Sequence, residues 1–195
     1  MSSSTLAIIQ YIFTCSTMHR GKGIQMIALK TTTRQLINRA ALAILAAYAL
    51  TSIHHIYGGL VDGASNRLLV PIVMAIALLV ALGSLYRYKR SGSGVALASY
   101  SIAAVLGWVI LSGLVHGGYA HTYKDVLFLL DGQPTLYYAL NPNEHYPPDD
   151  VFFEITGVLE LVTGYLIALF TFRLIRDKQQ RDHRASAQEQ ALLSR

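Results

Sequence analysis

The chain has 195 residues, of which 53% are hydrophobic and only 14% are charged, and its mean hydropathy is +0.40. In soluble domains about a quarter of all residues are charged, so this composition excludes an ordinary soluble domain. The formal net charge is +5, but the basic residues flank apolar segments, and they do not alternate with aromatic residues that could stack on nucleic-acid bases. The charge therefore favours a membrane protein and argues against a nucleic-acid partner.

The first segment, residues 1–35, is expected to be a cytoplasmic or interfacial extension. Its apolar run, residues 6–13, is too short to span a bilayer, follows no basic residue and precedes no small-residue cleavage site. The alternative is an upstream start, with the working start at Met26. Cys15 is the only cysteine and therefore cannot form a disulfide within one chain.

Four apolar segments are long enough to cross a membrane. A spanning helix covers about 30 Å at 1.5 Å per residue and needs about 20 apolar residues. The segments lack the alternation of barrel strands, so we predict helices. The predicted fold is an all-α integral membrane four-helix bundle over residues 36–176, with a basic cytoplasmic tail at 177–195. The predicted helices are residues 40–57, 68–86, 95–116 and 151–175.

Small residues mark the helix faces that are expected to pack closely. In lipid, such residues allow two helix backbones to approach each other. The residues are Ala43 and Ala47 in the first helix, Gly113 and Gly117 at the end of the third, and Gly157 and Gly164 in the fourth.

The basic residues predict the orientation. Fourteen of the sixteen Lys and Arg residues lie in residues 20–39, 87–90 and 173–195. Only Arg67 and Lys124 fall on the opposite side. The positive-inside rule then predicts cytoplasmic termini in a plasma or inner membrane, with the two remaining loops outside.

The second outer loop, residues 117–150, is long and contains segments with predicted structure. Two apolar runs, residues 126–130 and 135–140, flank the turn sequence of residues 131–134, which favours a hairpin or re-entrant cap. An interfacial helix is the alternative. Asp149 and Asp150 are predicted N-cap residues of the fourth helix.

Five of the seven histidines lie on the predicted outer side. Helix exits at similar depth can converge, and imidazole is a ligand for zinc, copper and iron alike. We therefore predict a metal or haem site, and the spacing selects no metal. His19 and His183 are expected to be solvated. The candidate ligands are His54 and His55 at the end of the first helix, His116 and His121 at the exit of the third, and His145 in the outer loop.

The adjacent pair, His54 and His55, points in two directions. Successive helical residues are about 100° apart, so we expect only one of them to face the bundle centre. A haem would use two axial histidines, one from the first helix and one from the third.

Two acidic residues of the fourth helix are candidates for ligation or proton handling. An ionisable group within a spanning helix is costly unless it is neutral, paired or facing water. Glu160 is the deeper one, and six residues turn it about 120° away from Glu154, so the two need not share a site. The structural alternative for Glu160 is a protonated carboxyl bonded to a hydroxyl of Tyr100, Ser101 or Ser112.

Two functional hypotheses follow. The first is a membrane metalloprotein for redox chemistry, oxygen chemistry or electron transfer. The second is a non-enzymatic membrane subunit or small apolar-ligand binder beneath Phe128, Tyr137 and Tyr138. The chain lacks His-Glu-x-x-His, a phosphate-binding glycine loop and a nucleophile elbow, so no catalytic residue is assigned. A homo-oligomer or a membrane partner subunit is compatible with both hypotheses.

Overall fold

The structure is a computed structural model that describes residues 3–61, 63, 65–130 and 150–194, with the backbone alone for residues 3–31 and 65. This part of the chain contains helices and no strand. The chain divides into two compact units, Met1–Leu36 and Ile37–Arg195, and the candidate site belongs to the second unit. The long helices are α1 (Ser3–Val61), α2 (Leu69–Ser91, after a 3₁₀ turn at Ser65–Leu68), α3 (Gly94–Leu130) and α4 (Val151–Leu193).

Four helical stretches are long and apolar enough to cross a membrane, which confirms the predicted set of four apolar helices. Each contains an apolar window of 18 residues with at most two charged residues. Each contains the predicted segment and extends beyond it, because helical hydrogen bonding continues into the polar flanks. The stretches are Thr32–Val61, Asn66–Ser91, Gly94–Leu130 and Val151–Leu193.

Helix α3 corrects the predicted start of the outer loop. The prediction ended this helix at residue 116, whereas the structure continues it through Gly117 and Gly118 to Leu130. Glycine costs about 1 kcal/mol in a helix relative to alanine, but here Gly117 packs against the backbone of α4. Residues 126–130 are therefore helical, as in the interfacial-helix alternative. The predicted turn and second apolar run lie outside the described residues.

The middle of α3 is a π-helix, Ala104–Tyr123, between α-helical ends. Its hydrogen bonds join residues five apart, so each turn is wider than in an α-helix. The buried positions accordingly recur every four or five residues, which places residues of that spacing on one face. They are Ala104, Trp108, Ser112, Gly113, Gly117 and His121.

Helices α3 and α4 approach each other through glycine. A Cβ atom at Gly164 would lie 2.9 Å from the Cα atom of Gly113. One at Gly117 would lie 2.5 Å from the backbone nitrogen of Leu161. Neither space can hold a side chain, so these glycines allow the backbones to touch, as the sequence predicted.

Helix α1 packs beside both partners and is fixed to the start of α4. The Tyr57 hydroxyl donates a hydrogen bond of 2.8 Å to Asp150, which is the N-cap residue predicted for α4 and accepts from the Phe153 backbone at 3.0 Å. These hydrogen bonds, the Phe153 one first, lower the pKa of Asp150. The ends of α1 and α4 therefore meet at one end of the bundle, which we call the histidine end because it also contains His54 and His121. The other predicted cap, Asp149, lies outside the described residues.

We expect Gly164→Ala to lower the stability of the bundle by about 1–3 kcal/mol, because the methyl group would overlap the Gly113 backbone. The measurement is thermal unfolding of the detergent-purified protein. Gly83→Ala is the matched control, since nothing lies within 4 Å of its added Cβ atom and helix propensity favours alanine. Equal midpoints for the two variants would contradict the close approach.

Candidate metal centre

Four histidine side chains meet at the histidine end. The ring of His54 lies 5.2 Å from that of His55, 4.9 Å from that of His116 and 4.8 Å from that of His121, between centroids. The fifth candidate, His145, lies outside the described residues. We call the four rings the histidine cluster.

The π-helix explains how His116 and His121 both reach this cluster. Five residues correspond to about 140° around an α-helix, which would turn the two side chains apart. With the wider π-helical turn they share a face, and their ring centroids are 4.9 Å apart. The π-helical backbone thus brings the side chains of His116 and His121 next to each other.

His54 is the buried centre of the cluster. Its side chain is 0% exposed, and Phe153 stacks on the ring at 4.1 Å between centroids with 20° between the planes. Gly58 leaves room for Phe153 on α1, because a Cβ atom there would lie 2.5 Å from the Phe153 ring. The ring is therefore held in one orientation by packing.

Hydrogen bonding favours one tautomer of His54. Its Nδ1 atom lies 2.9 Å from the Thr156 hydroxyl, whose oxygen also lies 2.9 Å from the carbonyl oxygens of Phe152 and Phe153. Because the hydroxyl has a single proton, donating it to either carbonyl leaves the hydroxyl to accept from Nδ1 of His54. The Nε2 atom then carries a lone pair, is buried, and has no hydrogen-bond partner in the described part of the chain.

A carboxylate orients His121. Its Nδ1 atom lies 2.5 Å from Oε2 of Glu154, and the two form an ion pair when the ring is protonated. The side chain of Asp125 lies near Glu154. Gly157 provides the space for the ring, since a Cβ atom there would overlap it. Nε2 of His121 is the nitrogen left for a ligand.

His55 and His116 complete the cluster and correct one expectation. Sequence geometry suggested that only one of the adjacent His54 and His55 side chains faces the bundle. His54 is fully buried and His55 is half-buried, yet the His55 ring stacks on His116 at 4.7 Å with 27° between the planes. The His116 ring lies near both, 4.9 Å from the His54 ring and 4.7 Å from the His55 ring between centroids. Nδ1 of His55 and Nε2 of His116 have no partner among the described residues.

Glu160 is fully buried beside the cluster. The Ser112 hydroxyl donates to its Oε2 atom at 2.8 Å and lies 3.1 Å from the Thr51 hydroxyl. Oε1 has no hydrogen-bond partner within the described ranges. Glu154 and Glu160 thus contact different groups.

Ser112 is the partner of Glu160 among the three hydroxyls considered from the sequence. The Tyr100 hydroxyl pairs instead with Thr171 at 3.0 Å, and the Ser101 hydroxyl donates to the Leu97 carbonyl at 2.8 Å. One oxygen of Glu160 therefore bonds to a hydroxyl, as in the structural alternative that the sequence suggested. The other remains available to a ligand.

Two sets of three side chains have donor atoms close enough to share an ion. The first set is His54, His116 and His121, and the second is His55, His116 and Glu160. Within each set the donors lie within 4.8 Å of one another. Donors bound at about 2.0–2.1 Å to one zinc ion lie at most about 4 Å apart, so small ring rotations would close any wider pair.

Sequence reasoning missed the residues that orient the histidines. Thr156, Phe153 and Asp125 stand in ordinary apolar or flanking contexts. A hydroxyl within an apolar helix signals a buried hydrogen bond, but nothing local identifies its partner on another helix.

Comparison with protein-family models, curated proteins and solved structures finds no match to this chain. The histidine cluster itself is therefore the basis for any functional conclusion.

We expect Thr156→Val to destabilise the protein by about 1–3 kcal/mol, because it leaves the buried Nδ1–H group of His54 without an acceptor. Thr156→Ser keeps the acceptor and serves as the matched control. The measurements are thermal unfolding and the ¹⁵N shifts of the His54 ring. A wild-type tautomer protonated at Nε2 would contradict the assignment.

Proposed function

We propose that this protein is an integral membrane metalloprotein that binds one transition-metal ion through His54, His116 and His121. The observation that carries the proposal is the buried Nε2 atom of His54, which lacks a hydrogen-bond partner in the described chain. Leaving such a group unsatisfied costs about 1–3 kcal/mol. A metal ion would satisfy it.

The arrangement around the donors supports a metal ion. Ligating histidines usually donate their second ring N–H group to a carboxylate or another oxygen, which fixes the ring. His121 has Glu154 in this role at 2.5 Å, and His54 has Thr156 at 2.9 Å. Two of the three proposed ligands are therefore already oriented by oxygen acceptors.

Charged groups of both signs lie near the cluster. Glu154 contacts a proposed ligand directly, and Glu160 lies beside the cluster. The Arg67 guanidinium lies over the Phe153 ring, which stacks on His54. Three neutral imidazoles bring no charge of their own, so a bound divalent ion would depend on Glu154 and Glu160 for charge compensation against Arg67.

An ion fits the cluster better than haem. A haem with one axial histidine from each of α1 and α3 would need the porphyrin plane between the two rings. The rings of His54 and His116 instead contact each other edge to face, with 4.9 Å between centroids. This spacing leaves no layer for a macrocycle.

The distribution of basic residues supports a centre on the outer side of a plasma or inner membrane, with both termini cytoplasmic. Copper or iron there supports redox chemistry, oxygen chemistry or electron transfer, whereas zinc has no redox chemistry. The identity of the ion therefore decides which chemistry the centre performs.

We expect about one metal ion per chain in the tag-free, detergent-purified protein. Combined substitution of His54, His116 and His121 by alanine removes the ligands and should reduce the metal to background. Inductively coupled plasma mass spectrometry measures copper, iron and zinc together.

His183→Ala is the matched control, because His183 is exposed on the far part of α4. It should retain the wild-type metal content. Unchanged metal in the triple variant would refute the proposed ligands. Metal-free wild type after reconstitution would favour the non-enzymatic subunit or apolar-ligand binder.

The orientation has its own test, for which Cys15 is first replaced by serine. A cysteine introduced at Asn66, an exposed position after α1, should react with a membrane-impermeant maleimide on intact cells. One at His183 should react only after permeabilisation. The reverse labelling pattern would show the opposite orientation.

A further inference from the structure

The second ligand set, His55, His116 and Glu160, differs from the first in its chemistry. It contains two imidazoles and one carboxylate in place of three imidazoles. We propose that the metal centre has two alternative ligand sets, and that the second set binds a harder divalent ion such as Fe²⁺ or Mn²⁺. This inference rests on the proposed function, since both sets include His116.

Unsatisfied donor atoms support the second set. Nδ1 of His55, Nε2 of His116 and Oε1 of Glu160 are all buried, and none has a hydrogen-bond partner in the described part of the chain. The side chain of Glu160 is itself 0% exposed. Each of the three residues thus has a buried donor without a partner there, and one ligand atom from each residue lies within 4.8 Å of the others.

The carboxylate is held ready for a ligand. Ser112 donates to Oε2 of Glu160 at 2.8 Å and is itself 3.1 Å from Thr51. This anchoring fixes the second oxygen, Oε1, without occupying it. Ligating carboxylates are commonly hydrogen-bonded in this way.

The shared histidine makes the two sets alternatives. A neutral imidazole has one nitrogen lone pair for a metal, because its other nitrogen carries the proton. His116 can therefore serve one ion at a time. The centre then binds one ion, and the ion's preference selects the set.

Ligand chemistry relates the ion to the ligand set. Imidazole suits zinc, copper and iron, whereas carboxylate oxygen also suits harder ions such as Mn²⁺. Two histidines and one carboxylate also form the facial set of non-haem Fe²⁺ sites, which leaves coordination positions open for other molecules. Relative to the three-imidazole set, Glu160 would thus raise the preference of the second set for Mn²⁺ and Fe²⁺.

The test compares Mn²⁺ and Zn²⁺ binding to the full-length, metal-free protein. Glu160→Gln keeps the volume and the oxygen that accepts from Ser112, so the fold should persist. It should weaken Mn²⁺ binding about tenfold or more, measured by electron paramagnetic resonance, and leave Zn²⁺ affinity nearly unchanged. His54→Ala should produce the opposite pattern.

Three outcomes would overturn the inference. If Glu160→Gln leaves Mn²⁺ binding unchanged, Glu160 is not a ligand. If it weakens both ions equally, the cluster is a single site. If the wild type binds two ions together, the sets are not alternatives. In the first two cases Zn²⁺ binding by the wild type would still support the proposed function, whereas failure to bind either ion would refute both proposals.

Discussion

The close approach of α3 and α4 is the constraint on which the histidine end depends. Gly113 and Gly117 face Gly164 and the backbone around Leu161, so backbone contacts backbone where side chains would otherwise separate the helices. Lipid offers no hydrophobic force to join apolar helices, so this packing has to come from shape. It brings the carboxyl and hydroxyl groups of α4 within hydrogen-bond reach of α3.

The π-helical segment sets which α3 side chains use that proximity. Its wide turn keeps Trp108, Ser112, Gly117 and His121 on the buried face. The same geometry holds His116 and His121 together, which an α-helix would not do. Helical geometry and helix packing therefore produce the histidine cluster jointly.

Hydrogen bonds then orient the polar side chains in and beside the histidine cluster. Thr156, Glu154 and Ser112 each hydrogen-bond to one polar atom of a neighbouring side chain, and Nε2 of His54 and Oε1 of Glu160 have no partner among the described residues. In an apolar bundle such unpartnered atoms are costly, because water does not replace the missing partners. They are the physical basis for the proposed cation site.

The sequence by itself determined the four apolar helices, their glycine faces, the Asp150 cap and the grouping of histidines near helix ends. These features depend on local hydropathy, spacing and residue type, all of which can be read directly from the sequence. It also identified Ser112 as one of three candidate partners for Glu160, but could not choose among Tyr100, Ser101 and Ser112.

Only the tertiary structure decided how far α3 continues, that its middle is π-helical, and that His54 and His55 both reach His116. It also decided that Thr156 orients His54. Each of these outcomes depends on which residue of another helix stands opposite, and on backbone packing that outweighs local glycine preference. Such relations between distant segments have no signature in the spacing of residues along one helix.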